Sequence, residues 1–575
     1  GFKAVWTETE RVKRFGFTET ELARAKQSFM TAIESAYIER DKTPSESFVQ
    51  EYLQNFLKGE ASSGITYEYN FYKKHMDGIK VAEVNNLAKS YLTDLNRDVV
   101  IMAPEKEAAI LPSEETVNTW IASVEKDNIT PYVDEVTDKP LLETKPVAGK
   151  ITSETKVDEL GITELTLDNG VKVILKPTDF KNDEISFTAF SPGGTSLYSD
   201  KDFQSAAYAA ILTSRSGLGV FSPIQLPKML AGKKAFVSPY ISERSEGISA
   251  STTPKDLETA LQLTYLYFTQ PRKDSAIYNA FISQQRGALA NRGNDPSSVF
   301  TDTISAVLGN YNFRRTGPSI EKLEQINLER AYAIYQERFA DAADFTFTFV
   351  GSFKVDQIKP LIAQYLGSLP ALRRKEEAKD LGIYPPKGRI AKTVYKGQED
   401  KSSTRLYFTG DYVYNENNNL MLSALAEVLQ IKLIERLREE ESGVYSTSVR
   451  ANYSKLPKNR YSISIAFGSG SENVEKLVAA TLDEINKIKK NGARQEDVNK
   501  FIAEERRTTE IQLKDNSFWL SYLAGQYELK EDPKDILTYL DKLKLVTPQS
   551  LKEAANKYLN DQNLIRLTLM PEEKK

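Results

Sequence analysis

Residues 551–570 read LKEAANKYLNDQNLIRLTLM, and the fold turns on what they share with residues 84–102, VNNLAKSYLTDLNRDVVIM. In the later stretch Leu551, Ala554, Ala555, Tyr558 and Leu559 recur at i, i+3, i+4, i+7 and i+8, and Val84, Leu87, Ala88, Tyr91 and Leu92 do the same in the earlier one. That spacing puts the apolar side chains on one face of an α-helix. A short strand is expected after each helix, Leu564 to Met570 and Val99 to Met102, closed by Pro571-Glu572 and Pro104-Glu105. A third copy lies between them: Ala331, Ile334, Tyr335 and Phe339 lead into the alternating run Phe345-Thr346-Phe347-Thr348-Phe349-Val350-Gly351. Upstream of the outer copies, Gly16 to Leu22 and Gly492 to Val498 are matched helix starts. Both put acids or small polar residues in the first turn, where unpaired amides and the helix dipole favour them.

The three copies end near residues 104, 352 and 571, which implies repeats of roughly 220–250 residues, near the upper end of ordinary domain size. Only the back half of the first repeat is present, so the chain holds about two and a half. The second repeat opens with Leu165 to Leu175, where Asn169-Gly170 sits between alternating runs. That pair signals a hairpin whose two turn positions both take positive φ. The third opens with Ala391 to Tyr395, a polar turn around Gly397, and Thr404 to Thr409. Strands come first, then helices, then strand and helix again. The fold class is α+β: repeated two-layer domains, each a largely antiparallel sheet with helices on one face. Two stretches separate the repeats, 105–157, rich in Pro, Asp, Glu and Lys, and 370–389, with Arg373-Arg374-Lys375-Glu376-Glu377 and Pro385-Pro386.

Composition narrows the chemistry. The 575 residues carry 76 basic and 80 acidic side chains, interspersed, for a net charge of −4, which argues against nucleic acid as a partner. No apolar run approaches the length of a membrane span. There is no cysteine, hence no disulfide, thiolate nucleophile or cysteine zinc site. One histidine, His75, stands in the polar stretch Tyr72 to Gly78. A lone histidine makes neither a zinc site nor a Ser/His or Cys/His pair, and His75 is expected at the surface. The opening Gly1-Phe2-Lys3-Ala4-Val5-Trp6 is not a signal peptide and runs straight into an amphipathic helix, so the chain is expected to be a fragment of a longer protein.

The repeat resembles that of the insulinase/pitrilysin family of zinc peptidases, the inverzincins. So do Leu167-Asp168-Asn169-Gly170-Val171-Lys172-Val173, with Ser191-Pro192-Gly193-Gly194 after it, and Leu437-Arg438-Glu439-Glu440-Glu441-Ser442-Gly443-Val444-Tyr445-Ser446. The closest likeness is to the C-terminal portion of long bacterial members that look periplasmic or envelope-associated. The resemblance implies four homologous αβ domains in two halves that enclose a chamber where peptides or unfolded proteins are cut. On that layout residues 1–104 are the back of a second domain, 105–155 join the halves, 156–372 are a third, inactive domain, 373–389 are a linker, and 390–575 are a fourth domain. The family's H-x-x-E-H zinc helix has no counterpart here. Phe203 to Leu212, where it would fall in the third domain, has neither His nor Glu. The implied zinc and the domain that binds it would be outside this chain, on the same or a separate polypeptide, and the chain alone would be inactive.

The resemblance singles out Arg438 and Tyr445. In the family an Arg and a Tyr at this spacing face the zinc and contact substrate carbonyls and the oxyanion formed in hydrolysis. By spacing alone, Arg438 could instead serve the helix C-terminus, Ser442-Gly443 stop the helix, and Tyr445 be a half-buried strand residue. Ser191-Pro192-Gly193-Gly194 is not a phosphate loop, because no Lys-Ser/Thr follows. A second reading of the chain is a non-catalytic peptide-binding or assembly subunit of a two-chain peptidase.

Overall fold

The structure, a computed structural model, describes residues 1–93, 95, 97–103, 105–135, 139–441 and 443–572. It forms two compact units. The first comprises Gly1–Glu143, Lys181–Asp183 and Phe221–Ala235; the second holds the rest.

The first unit is helical: α1 (Phe2–Phe15), α2 (Glu19–Ile38), α3 (Ser45–Lys58), α4 (Ile65–His75), α5 (Val81–Tyr91) and α6 (Glu114–Lys126). Thr18 caps α2 with a reciprocal Glu21 bond, as the acid-rich start predicts. One expectation fails here. Val99 to Met102 form no strand, because a strand needs neighbours to take its N–H and C=O groups; Pro104 lies outside the described residues. In the stretch after it, Val117, Trp120 and Val124 give α6 an apolar face that Phe2 of α1 meets at Trp120, 5.9 Å between ring centres. Asp134 is gripped by Arg24 at 2.7 Å and Lys228 at 2.8 Å. Burial works against its charge, but these hydrogen bonds and one from Thr20 hold the carboxyl well below the usual carboxylate range.

In the second unit the chain runs β1 (Ile151–Val157), β2 (Ile162–Leu167), β3 (Lys172–Pro177), β4 (Ile185–Pro192) and α7 (Asp200–Arg215). Short α8 (Gln225–Met229) belongs to the first unit. Then come β5 (Ala235–Ile241), β6 (Ser245–Thr252), α9 (Leu257–Thr269), α10 (Ser275–Arg292), α11 (Pro296–Leu308), α12 (Ile320–Leu323), α13 (Leu328–Phe339), β7 (Thr346–Gly351) and α14 (Val355–Tyr365). The later repeat is β8 (Ile390–Tyr395), β9 (Ser402–Asp411), α15 (Glu416–Leu433), β10 (Ser446–Ser454), β11 (Arg460–Ser469) and α16 (Val474–Asn491), followed by α17 (Gln495–Gln512), α18 (Asn516–Leu529), α19 (Ile536–Lys542), α20 (Pro548–Tyr558) and β12 (Leu564–Met570). One sheet is ordered β1-β2-β3-β7-β4-β6-β5 and the other β10-β11-β9-β12-β8. Read from β3 and from β8 they follow the same path, with β3–β7 and β8–β12 as matching parallel pairs and antiparallel β4–β7 and β9–β12 beside them. The α+β repeat is thus present in three dimensions.

The Asn169-Gly170 hairpin forms, but not as a two-residue turn. Gly170 N–H donates to Leu167 O at 2.9 Å, Leu167 N–H to Val171 O at 2.9 Å, and of the pair only Gly170 takes positive φ, 99°. This is a three-residue loop with a glycine bulge. Asn169 remains at negative φ because its side chain is used elsewhere, donating to Leu366 O at 2.8 Å.

Strand β7 is buried along its whole length. Its Phe347 and Phe349 join the ring stack of Phe187, Phe268, Phe339 and Phe345. The opposite face is covered by a helix from the later repeat: Trp519 and Leu523 of α18 pack with Leu160, Ile162, Ile174 and Val350. The exchange is reciprocal, because Phe300 and Val307 of α11 pack with Ile565, Leu567 and Leu569 of β12. Helices therefore cover both faces of the central strands, beyond the single face expected.

The stretch after α14 is strapped down. Asp341 accepts from the N–H groups of Leu372 at 2.8 Å and Arg374 at 2.6 Å. Buried Arg338 forks onto Glu376 at 2.9 and 3.1 Å and lies 3.5 Å from Glu246. Glu246 in turn accepts from Gly194 N–H at 2.7 Å. Gly194 sits at φ 62°, and a Cβ there would stand 2.4 Å from Ser242 O, which explains the glycine after Ser191-Pro192.

Leu523→Ala should cost about 3 kcal/mol, and urea unfolding followed by probes in each sheet should show both sheets weakened together; a loss confined to one would refute their mutual dependence. A second expectation concerns pH. Burial, opposed by Arg338 and Gly194 N–H, pushes Glu246 up to about 7. Between its ordinary value and that pH the folded chain keeps a proton the unfolded chain has lost, so Glu246 lowers stability as pH rises through this window. Relative to Glu246→Gln, the wild type should lose roughly 2 kcal/mol between about pH 5 and 8; parallel pH–stability curves would refute this.

Candidate functional site

Arg438 and Tyr445 lie on either side of the connection from the α15 helix to edge strand β10. Helix α15 does not end at Leu433 but widens into a π-helical segment, Ile434–Glu440, in which Glu441 N–H reaches back five residues to Arg436 O at 3.1 Å. Such segments are rare and concentrate at functional sites. Arg438 stands on it, exposed, rather than at an ordinary helix C-terminus. Ser442 lies outside the described residues; Gly443 N–H bonds to Leu437 O at 3.2 Å.

Leu437 is fully buried in the later repeat's core and anchors the segment. Most of the charges around Arg438 are tied to neighbours, while Glu439 beside it is exposed. Arg436 pairs with Glu440 at 2.7 Å and Glu441 at 2.9 Å, Glu441 with Lys476 at 2.7 Å, and Glu435 with Arg494 at 3.1 Å. No described residue forms a hydrogen bond or ion pair with the Arg438 guanidinium, so its donors face solvent.

Tyr445 stands one residue before β10, where its N–H bonds to Gly468 O of β11 at 2.9 Å. Its backbone is thereby fixed while its side chain is 70% exposed, not half-buried in a strand. The two candidates therefore share one end of the later sheet. A guanidinium and a phenol held there present several N–H donors and one O–H donor, a set suited to an oxygen that gains negative charge.

The described residues offer no metal site. His75 is exposed in the last turn of α4, its ring tilted against Phe71 at 4.6 Å between centres, and among the described residues no three His, Cys, Asp or Glu are placed to hold an ion. Phe203 to Leu212 lie within α7, whose Ala206, Ala209, Ala210 and Leu212 are core. No helix among the described residues is long and apolar enough to cross a membrane. What the sequence did not reveal is the π segment, which has no motif of its own.

Residues 325–504 match the family model described as the peptidase M16 inactive domain. A zinc protease PQQL-like protein of Arabidopsis thaliana is 30% identical over 542 residues, covering 90% of this chain and 53% of the relative. The probable zinc protease PqqL of Escherichia coli is 24% identical over 427 residues, 73% of this chain and 45% of that protein. The chain spans about half the length of the curated relatives it matches. Among solved structures, the periplasmic protease PqqL of E. coli superposes with a TM-score of 0.69 at 20% identity, covering 99% of this chain and 63% of that one.

Proposed function

We propose that this chain, a member by homology of the M16 zinc peptidases and carrier of that family's inactive domain, forms the metal-free side of a zinc-dependent endopeptidase acting on peptides or unfolded proteins. Residues 1–104 would be the back of a second αβ domain, 105–155 the connection between halves, 156–372 the third domain, 373–389 its linker and 390–575 the fourth. The zinc would be held by ligands outside this chain, in a domain on the same or another polypeptide, and would supply the activated water. The periplasmic location named for the E. coli relative is extended to this protein as part of the same reading.

In this role Arg438 and Tyr445 hold the substrate. When water attacks a peptide carbonyl, the oxygen takes up negative charge, and donors already aimed at that position lower the barrier more than they tighten substrate binding. The observation that carries the reading is the contrast at the π segment. Arg436, Glu435 and Glu441 are all engaged, while Arg438 and Tyr445 are positioned by backbone and left open.

In the protein assembled with its zinc domain, Arg438→Ala and Tyr445→Phe should each lower kcat on an unstructured peptide at least tenfold, about 1.4 kcal/mol or more of barrier, with thermal unfolding unchanged. Unchanged turnover in both variants would reject the assignment. Peptide binding without any cleavage by the assembled protein would favour a non-catalytic peptide-binding subunit.

A further inference from the structure

Because α18 leaves its own repeat to cover the other sheet, a cleft of about 400 Å³ opens between it and the helices α15 and α17. That is within the range that holds small ligands. Its rings are Tyr414, Tyr453, Tyr522, Tyr539 and Phe518. Its charged residues are Glu416, Glu505, Glu531 and Asp535, and no Lys, Arg or His is among the lining residues described. Lys542 and Lys455 neutralise Glu416 and Glu531. Glu505 and Asp535 have no ion-pair partner among the described residues; Glu505 accepts the Tyr539 hydroxyl at 2.6 Å. Burial and the Glu505 charge push the Tyr539 phenol up, as expected where negative potential collects in a partly desolvated wall. Tyr453 is 39% exposed, so the cleft is reachable from solvent.

The earlier repeat shows what occupies the corresponding place. Between α7, α10 and α12 lies a smaller hollow of about 160 Å³, lined by Arg292 and Lys322. There the chain supplies its own cations and satisfies them. Lys322 donates to Phe313 O at 2.8 Å, Thr316 O at 2.7 Å and Gly317 O at 3.1 Å, and Arg292 forks onto Asp302 at 2.7 and 3.0 Å. Arg292 ends α10 as Gln512 ends α17, an equally long helix. The later repeat thus replaces the cation by an amide, enlarges the space, and lines it with π faces and carboxylates, the two groups that attract a cation.

We propose that this cleft binds the cationic side chain, lysine or arginine, of a peptide. The peptide part of this statement rests on the function proposed above; the preference for a cation rests on the cleft alone. Rings would take the aliphatic stem and the charged head, and Glu505 and Asp535 would supply the counter-charge.

The test is equilibrium binding of the 575-residue chain to a short unstructured peptide with one central lysine or arginine, against the same peptide with norleucine or citrulline. The charged peptides should bind at least about tenfold more tightly at low salt, an advantage that shrinks as salt screens it. In Glu505→Gln and in Asp535→Asn the preference should fall to about threefold or less. Should Glu505→Gln unfold for want of its Tyr539 bond, Asp535→Asn alone decides. Equal affinity for charged and neutral peptides, or an undiminished preference in folded variants, would overturn the proposal. Arg438→Ala and Tyr445→Phe should leave this preference intact, so failure of the peptidase reading and failure of the cleft are told apart.

Discussion

Two helices of the second unit, α11 and α18, each bury their apolar face on the sheet of the other repeat, and the rest of that unit depends on this exchange. A sheet covered on one face leaves the other in water. Trp519 and Leu523 remove that exposure for β7 and its neighbours, and Phe300 and Val307 do so for β12. The contact also disposes of an awkward charge. Lys176 is buried with its ammonium 3.9 Å from the centre of the Trp519 ring and donating to Leu160 O at 2.8 Å, and burial pushes it down to about 8. A lysine in that position is tolerable only because ring and carbonyl replace water.

The candidate sites follow from the same arrangement. The later repeat keeps α15, α16 and α20 on its sheet as one core, and the π segment that continues α15 is pinned to that core by Leu437. The ion pairs of Arg436, Glu435 and Glu441 absorb their own charge locally, and Arg438 and Tyr445 are left beside them as donors open to solvent. The cleft proposed for a peptide cation exists because α18 has been drawn away from its own repeat. A fold that solves its burial problem by exchange creates a gap in each repeat, and the two gaps are filled differently, by Arg292 and Lys322 in one and by rings and carboxylates in the other.

Local pattern made much of this legible. The 3.6-residue spacing of Leu551, Ala554, Ala555 and Tyr558 matches a buried helix face, and alternation in Phe345 to Gly351 matches a strand. The Gly16 and Gly492 stretches mark helix boundaries because glycine takes the positive φ found at both, 72° and 78°. The details that escaped are those fixed at long range. Asn169 favours a two-residue turn by composition, yet its side chain is claimed by carbonyls about 200 residues away. Residues 105–157 look unperiodic by their Pro, Asp, Glu and Lys content, yet α1 gives Trp120 and Val124 a surface to bury against.

The sequence by itself determined the repeat, the helical and extended periods within it, the α+β class, and the want of histidine and cysteine for a metal centre. Tertiary structure decided which of those periods become buried structure. Tyr91 holds the place in the repeat that Tyr558 holds in the later copy, yet Tyr91 is 76% exposed while Tyr558 is buried, and Val99 to Met102 stay unpaired while Leu564 to Met570 join β9 and β8. The physical reason is that a helix face or a strand records only an unmet demand for apolar and hydrogen-bonding partners. Whether the demand is met depends on what the fold brings against it, and that also decides that Arg438 projects from a π-helical turn rather than closing an ordinary helix.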